Sequence, residues 1–436
     1  MSRASPIIRH AIVPNDDASL VPPFGVFCLL LFCFVVLSRK LELGEVAVIG
    51  AVLAVLIGRF RIRLPPLYGY YLGYLLIGAL GLLTTQYPTV VSSELYESVK
   101  VAVIAVATAS LLSTQRAART LVLGYLLLFA LFPVRGALFN FVNGITEKGR
   151  IAWNFFFSNP NDLAITCLLP IGLCAYVLFV EKSVWLRRTA WVGIFLLVGI
   201  ILLTQSRGAI VGLGVGAGYL IVKSKNRARV LVALAVLLLG VGLVVPQSSW
   251  ERLVGLSQIA SGNMASVDPE GSAQGRARLM TRAIKFAVQN PVLGVGLGAF
   301  AFENARVTVN DPNSDLERGF RDAHSAFARA AAETGIIGGI LVIVFVIGAI
   351  RYVHVCRRRV AAASDNHSYA SALLMLELSM VAYTVAAIFN SGERSTFFAL
   401  QYVLPCALAS LMQEQIKVPV EPKAIGAARR TGQRPI

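Results

Sequence analysis

Only four histidines occur in 436 residues, and charged side chains make up just 14% of the chain against 56% hydrophobic ones. So small a charged fraction, with a mean hydropathy of +0.70, excludes an ordinary soluble domain. Strict apolar and polar alternation over roughly ten-residue segments is missing. That excludes an outer-membrane barrel, whose lumen side is polar at every second position. Five of the six cysteines, Cys28, Cys33, Cys167, Cys174 and Cys406, lie in apolar runs and Cys356 in a basic loop, so no disulfide framework is implied. Metal-ligand spacing is absent: there is no His-x-x-x-His, no CxxC pair and no carboxylate cluster in the outer loops. No cleavable signal peptide is expected, because the N-terminal residues are polar and the first apolar run, from Phe24, leads straight into Arg39 and Lys40.

What is present is a succession of apolar runs, near 24–38, 44–58, 67–83, 98–114, 118–134, 162–180, 189–204, 208–222, 228–246, 326–350, 369–389 and 395–413. They predict an all-α polytopic membrane protein of about twelve transmembrane helices, a helix needing about 20 residues to cross the hydrocarbon core. Four stretches result: an N-terminal bundle of about nine spans (1–246), a large loop (247–325), a C-terminal bundle of about three spans (326–413) and a basic tail (414–436). The net charge of +17 is dispersed in short clusters between spans, which argues for loop anchors and against a nucleic-acid face. The heavier clusters follow even-numbered runs, among them Arg59, Arg61 and Arg63, then Lys182, Arg187 and Arg188, then Arg351, Arg357, Arg358 and Arg359. The positive-inside rule then predicts cytoplasmic termini and an outward-facing large loop.

Within that loop, residues 262–275 (GNMASVDPEGSAQG) read as flexible. From Arg276 to Gln289, Leu279, Met280, Ala283, Phe286 and Ala287 recur at helical spacing opposite Arg278, Arg282 and Lys285. This is the pattern of a basic helix lying against membrane lipids. It stops at Asn290-Pro291, after which VLGVGLGAF supplies three glycines to a tight turn or a close backbone approach. The stretch lacks the strand and the Lys-Ser/Thr of a phosphate-binding loop.

Three outward-facing residues carry chemistry. His324, in RDAHSAFARAAAETGIIGG, holds an imidazole whose ordinary pKa suits proton transfer near neutrality, although a lone histidine also serves as a cap or an interfacial side chain. Arg207, in LLTQSRGAIVG, sits between two runs almost without a loop, and Arg276 opens the basic helix. Guanidinium groups offer planar paired donors for phosphate oxygens, though an arginine at a span end also reaches for lipid headgroups. Arg321, Asp322 and Arg329 flank the histidine and tune its charge state. Asn161 is expected to cap the helix that follows Asn159-Pro160, and Glu377 is an acid inside an apolar run.

Three blocks, TQSRGAIVG, GRARLMTRAIKFAVQNPVLGVGLGAF and HSAFARAAAETGIIGG, together resemble the O-antigen ligase and polymerase superfamily over roughly residues 200–345. The resemblance implies an inner-membrane glycosyltransferase with its site at the periplasmic face. It further implies metal-independent, inverting transfer without a cofactor, from undecaprenyl-pyrophosphate-linked glycan to lipid A-core. The family's catalytic pattern falls on Arg207 and Arg276, toward the donor pyrophosphate, and on His324, toward the acceptor hydroxyl; Arg278, Arg282, Arg321 and Asn161 are expected as further substrate contacts. Ser325 and Phe327 depart from the family's usual Asn and Leu, and Met280 from a frequent Trp. A repeat-unit polymerase or a protein O-oligosaccharyltransferase would differ in acceptor. A twelve-span transporter would place its charges near the midplane on broken helices, and an envelope scaffold would not need His324. Oligomeric state is not legible.

Overall fold

The computed structural model describes residues 23–38, 41–58, 62–64, 67–224, 226–242, 272–309, 318–363, 367–392 and 395–417. Among them all regular structure is helical: α1 (Pro23–Ser38), α2 (Gly44–Ile57), α3 (Tyr68–Leu80), α4 (Pro88–Leu111), α5 (Gln115–Phe129), α6 (Arg135–Val142), α7 (Pro160–Thr166), α8 (Leu168–Val180), α9 (Val184–Thr204), α10 (Arg207–Lys223), α11 (Arg227–Gly242), α12 (Ser272–Gln289), α13 (Phe300–Thr308), α14 (Ala326–Ala363), α15 (His367–Ala387) and α16 (Thr396–Lys417). Over the described residues, the twelve apolar runs fall on helices.

Length and composition by themselves vouch for six of the expected twelve crossings: Gln115–Val142, Pro160–Val180, Val184–Thr204, Ala326–Ala363, His367–Ala387 and Thr396–Glu414. Three shorter apolar helices, Phe24–Ser38, Gly44–Ile57 and Tyr68–Leu83, accompany them. The remaining three differ for visible reasons. Glu94, Glu97 and Lys100 charge the first half of α4, while α10 and α11 stop at 17 and 16 residues.

Most of the helices share one buried core, and α12 and α13 pack a second, smaller one against the start of α14. Tyr68, Tyr71 and Tyr74 recur on one face of α3 and are fully buried. Tyr71 lies 5.4 Å from the ring of Phe345 in α14, which in turn meets Tyr402 of α16 at 5.7 Å. Edge and offset ring contacts of this kind contribute about 0.5–1.5 kcal/mol each beyond their area, and here they tie an early helix to the last.

Two ends of the bundle are distinct. At one, Arg63 donates to Glu414 (3.0 Å) and Arg119 to Glu181 (2.6 Å). Towards this end Glu377, only 1% exposed, accepts from Arg357 (2.8 Å) and from the Tyr219 hydroxyl, with His354 Nδ1 at 2.8 Å. The acid is thus paired between α10, α14 and α15, which is how a buried carboxylate avoids an uncompensated desolvation cost. The basic segment from Arg351 to Arg359, including Cys356, was expected to be a loop. It is instead the continuation of α14, because alanine and arginine favour helix and a helix need not end where hydrocarbon does. All six cysteines are buried free thiols.

The opposite end carries α12 and α13. Here Thr85 Oγ1 donates to the Val295 carbonyl (2.9 Å) and the Tyr87 hydroxyl to Glu303 (3.1 Å). The amphipathic helix begins at Ser272, four residues before the expected Arg276, so SAQG forms its first turn rather than loop. Residues 262–271, the polar N-terminal residues 1–22 and the tail after 417 lie outside the described residues.

Candidate functional site

The TQSR block is a tight reversal between α9 and α10. Gln205 takes a left-handed conformation (φ 52°) at the end of α9, the Thr204 hydroxyl accepts the Ser206 N–H (3.3 Å), and Arg207 opens α10. Gly208 is required behind it, since a Cβ there would stand 2.9 Å from that of Phe389. The Thr204 carbonyl accepts Arg150 Nε (2.6 Å), whose other arm donates to Asn161 Oδ1 (2.8 Å). Asn161 is therefore not the cap of its helix. Asn159 caps it, accepting the Asn161 N–H at 3.0 Å, because Pro160 has no N–H to satisfy and its fixed φ suits the first helical position.

His324 stands in the turn before α14, half-buried and with φ of 53°. That conformation is uncommon for a residue with a Cβ. It is held from both sides. Ser325 Oγ accepts the Ala328 N–H (3.4 Å), so the family's departure at this position supplies a helix cap. On the other side Arg329 donates to Asp322 (2.8 Å) and to the fully buried Glu333 (3.0 Å), whose carboxylate also takes the Phe300 N–H (3.4 Å). The turn is thereby fastened to α13 and to the first turns of α14.

Burial, first, pushes the His324 pKa below the ordinary imidazole value; Arg276 lowers it next, opposed by Asp322, with Arg321 and Arg329 also lowering it. A depressed pKa means that the imidazole is neutral at neutral pH and gains a proton only as pH falls through the lowered value. Replacing Arg276 by Gln removes a cation and is expected to raise that pKa. Replacing Asp322 by Asn removes the opposing anion and is expected to lower it. Histidine ring NMR shifts against pH, assigned by loss of the signal in His324→Ala, check both directions.

The fold thus places Arg276, Arg321, Asp322 and Arg329 within electrostatic reach of His324. Arg207 and Asn161 lie at the same end of the bundle but are not among the groups that set the charge state of the histidine. Asp162, next to Asn161 and beside Asn390, is within electrostatic reach of Asp322 and Arg329, and so is Glu94. Sequence reasoning missed Glu94, Asp162 and Glu333. Each occurs in a run otherwise readable as helix, and only packing turns them toward the turn at His324. Arg278 and Arg282 point elsewhere, into a groove on the other side of α12. Among the described residues no group of three or more His, Cys, Asp or Glu side chains is arranged to hold a metal ion.

Many-helix packing, with six helices among the described residues long and apolar enough to cross a bilayer, is the architecture of a multi-pass membrane protein. Residues 192–343 match the family described as O-Antigen ligase. The matched segment contains Arg207, Arg276 and His324, and the match supports a glycosyl-transfer-related activity. A search of curated proteins finds no match to the chain.

Proposed function

We propose that the protein is an O-antigen ligase of the bacterial inner membrane, with twelve crossings, cytoplasmic termini and its site at the periplasmic face. It transfers glycan from undecaprenyl pyrophosphate to a hydroxyl of lipid A-core. The observation that carries this reading is that Arg276, distant in the chain, lies within electrostatic reach of the half-buried His324. A neutral imidazole beside a guanidinium is the pair needed where a proton leaves a hydroxyl and an anion departs.

In the step so assigned, the acceptor oxygen attacks the anomeric carbon opposite the leaving group, and its proton passes to His324. The bond from the anomeric carbon to the pyrophosphate oxygen breaks, releasing undecaprenyl pyrophosphate with inversion. Arg276 and Arg207 stabilise the charge that develops on the departing pyrophosphate. Arg207 is aided by its place at the N-terminus of α10, where the unpaired N–H groups favour anions. Asn161, held by Arg150, and Arg321 are secondary contacts to the glycan.

Two measurements test this. Expression in a ligase-null strain that makes lipid-linked O-antigen is expected to restore a surface glycan ladder on a gel. No ladder, with polymer lengthening on the lipid carrier instead, shifts the acceptor to a second lipid-linked glycan. For the purified protein, Arg207→Ala or Arg276→Ala is expected to weaken undecaprenyl pyrophosphate binding about 10- to 100-fold, the effect of losing a charge-assisted hydrogen bond. Unchanged binding in both variants would overturn the donor assignment.

A further inference from the structure

Helix α12 presents three faces, and the proposed reaction uses only one. Leu279, Ala283, Phe286 and Ala287 are buried, the Ala283 and Phe286 pair against Phe300, Ala328 and Ala332. Arg276 belongs to this side, toward His324. A second strip runs every fourth residue through Met280, Ile284 and Val288, which are 36%, 50% and 65% exposed. The third face carries Arg278, Arg282 and Lys285 with Thr281, and lines an open groove of about 600 Å³ that Val307 of α13 borders. At 3.6 residues per turn, Arg278 and Lys285 stand about 160–180° around the helix from Arg276.

An apolar strip left open beside three cations does not suit a helix facing water. Nor does it suit a soluble anion, which would engage the cationic face and leave the strip wet. It suits a ligand with a phosphate joined to hydrocarbon: guanidinium and ammonium groups take the phosphate oxygens while the strip lies in the acyl region.

We propose that this groove binds the phosphate headgroup of an anionic membrane lipid, at a site separate from Arg276 and His324. The bound lipid holds α12 at the membrane surface and so keeps Arg276 against the His324 turn. The site is independent of which acceptor the transfer reaction uses.

The test uses the purified, delipidated full chain in detergent, titrated with fluorescent phosphatidylglycerol, with phosphatidylcholine as comparator and inorganic phosphate as competitor. Phosphatidylglycerol is expected to bind at least about tenfold more tightly than phosphatidylcholine, with affinity falling as salt rises. The double variant Arg278→Gln, Arg282→Gln is expected to lose about 30-fold, and Lys285→Gln about fivefold. Ile284→Ser weakens the lipid alone, and His324→Ala leaves binding unchanged even where it stops transfer, so a failure here is distinguishable from a failure of the ligase reading. Equal affinity for the two lipids overturns the proposal. Complete displacement by inorganic phosphate, with Ile284→Ser silent, overturns it in favour of a free-phosphate site. Should the double variant not fold, Lys285→Gln decides: loss supports the site, and unchanged affinity sinks it.

Discussion

His324→Ala is expected to reduce glycan transfer by about 10²–10⁴-fold at matched membrane levels, the usual contribution of a positioned general base, while donor binding stays within about twofold of wild type. The direction follows from what surrounds the ring. Burial and three neighbouring arginines keep it neutral and so able to accept a proton, with Asp322 alone opposing them. A purely architectural histidine would give the same loss by letting the turn collapse, and His324→Asn separates the two accounts. Asparagine tolerates the left-handed conformation that φ of 53° requires, so it preserves the turn but cannot take the proton. Transfer measured with purified lipid-linked donor should be as low in His324→Asn as in His324→Ala. Recovery to near wild-type rate in the asparagine variant would remove the base from the mechanism and leave His324 a turn residue.

The second large effect is expected at Gly335. Helix α14 is broken there, with φ 75° and ψ 176°, a region populated essentially by glycine alone. The break frees the carbonyls of Ala332 and Glu333, which accept the N–H groups of Val295 (2.9 Å) and Gly296 (3.0 Å), while the Ile336 N–H donates to Pro291 (2.8 Å). The glycine-rich stretch after α12 thus threads across the gap in α14. A Cβ at Gly335 would stand 2.5 Å from the Pro291 carbonyl oxygen, and one at Gly294 2.4 Å from the Glu333 carbonyl carbon. Gly335→Ala combines backbone strain of about 1–3 kcal/mol with overpacking of similar size, roughly 2–6 kcal/mol in all. Because Glu333 and Arg329 flank the break, the turn at His324 should loosen with it. Thermal unfolding in detergent should show a clear fall in midpoint for Gly335→Ala. Gly214→Ala, on α10 with open space around it, should be neutral or slightly stabilising, as alanine is the better helix former. Equal midpoints for the two variants would remove the strain argument.

Several features of the molecule were legible from local pattern. Apolar runs mark the helices because hydropathy is a property of contiguous residues, and the basic face of α12 shows at helical spacing for the same reason. The glycines of VLGVGLGAF announced a close backbone approach, and that approach is the crossing of α14 at Gly335. Helix ends were less legible. Charge marked Arg351 as a loop although the helix runs on to Ala363, and α13 lacks a periodic signal long enough to be read at all.

The meeting of particular side chains was decided only by the tertiary structure. That Arg276 faces His324 while Arg278 and Arg282 face away depends on how α12 is rotated against Phe300 and Ala328, contacts between elements far apart in the chain. The acids Glu94, Asp162 and Glu333 look alike in sequence, each a single carboxylate in a helical run, yet all three reach the Asp322–Arg329 neighbourhood. Chain order carries periodicity and sign of charge. Which charges share a site is set by long-range packing, because electrostatic reach depends on distance through the folded bundle and not on separation along it.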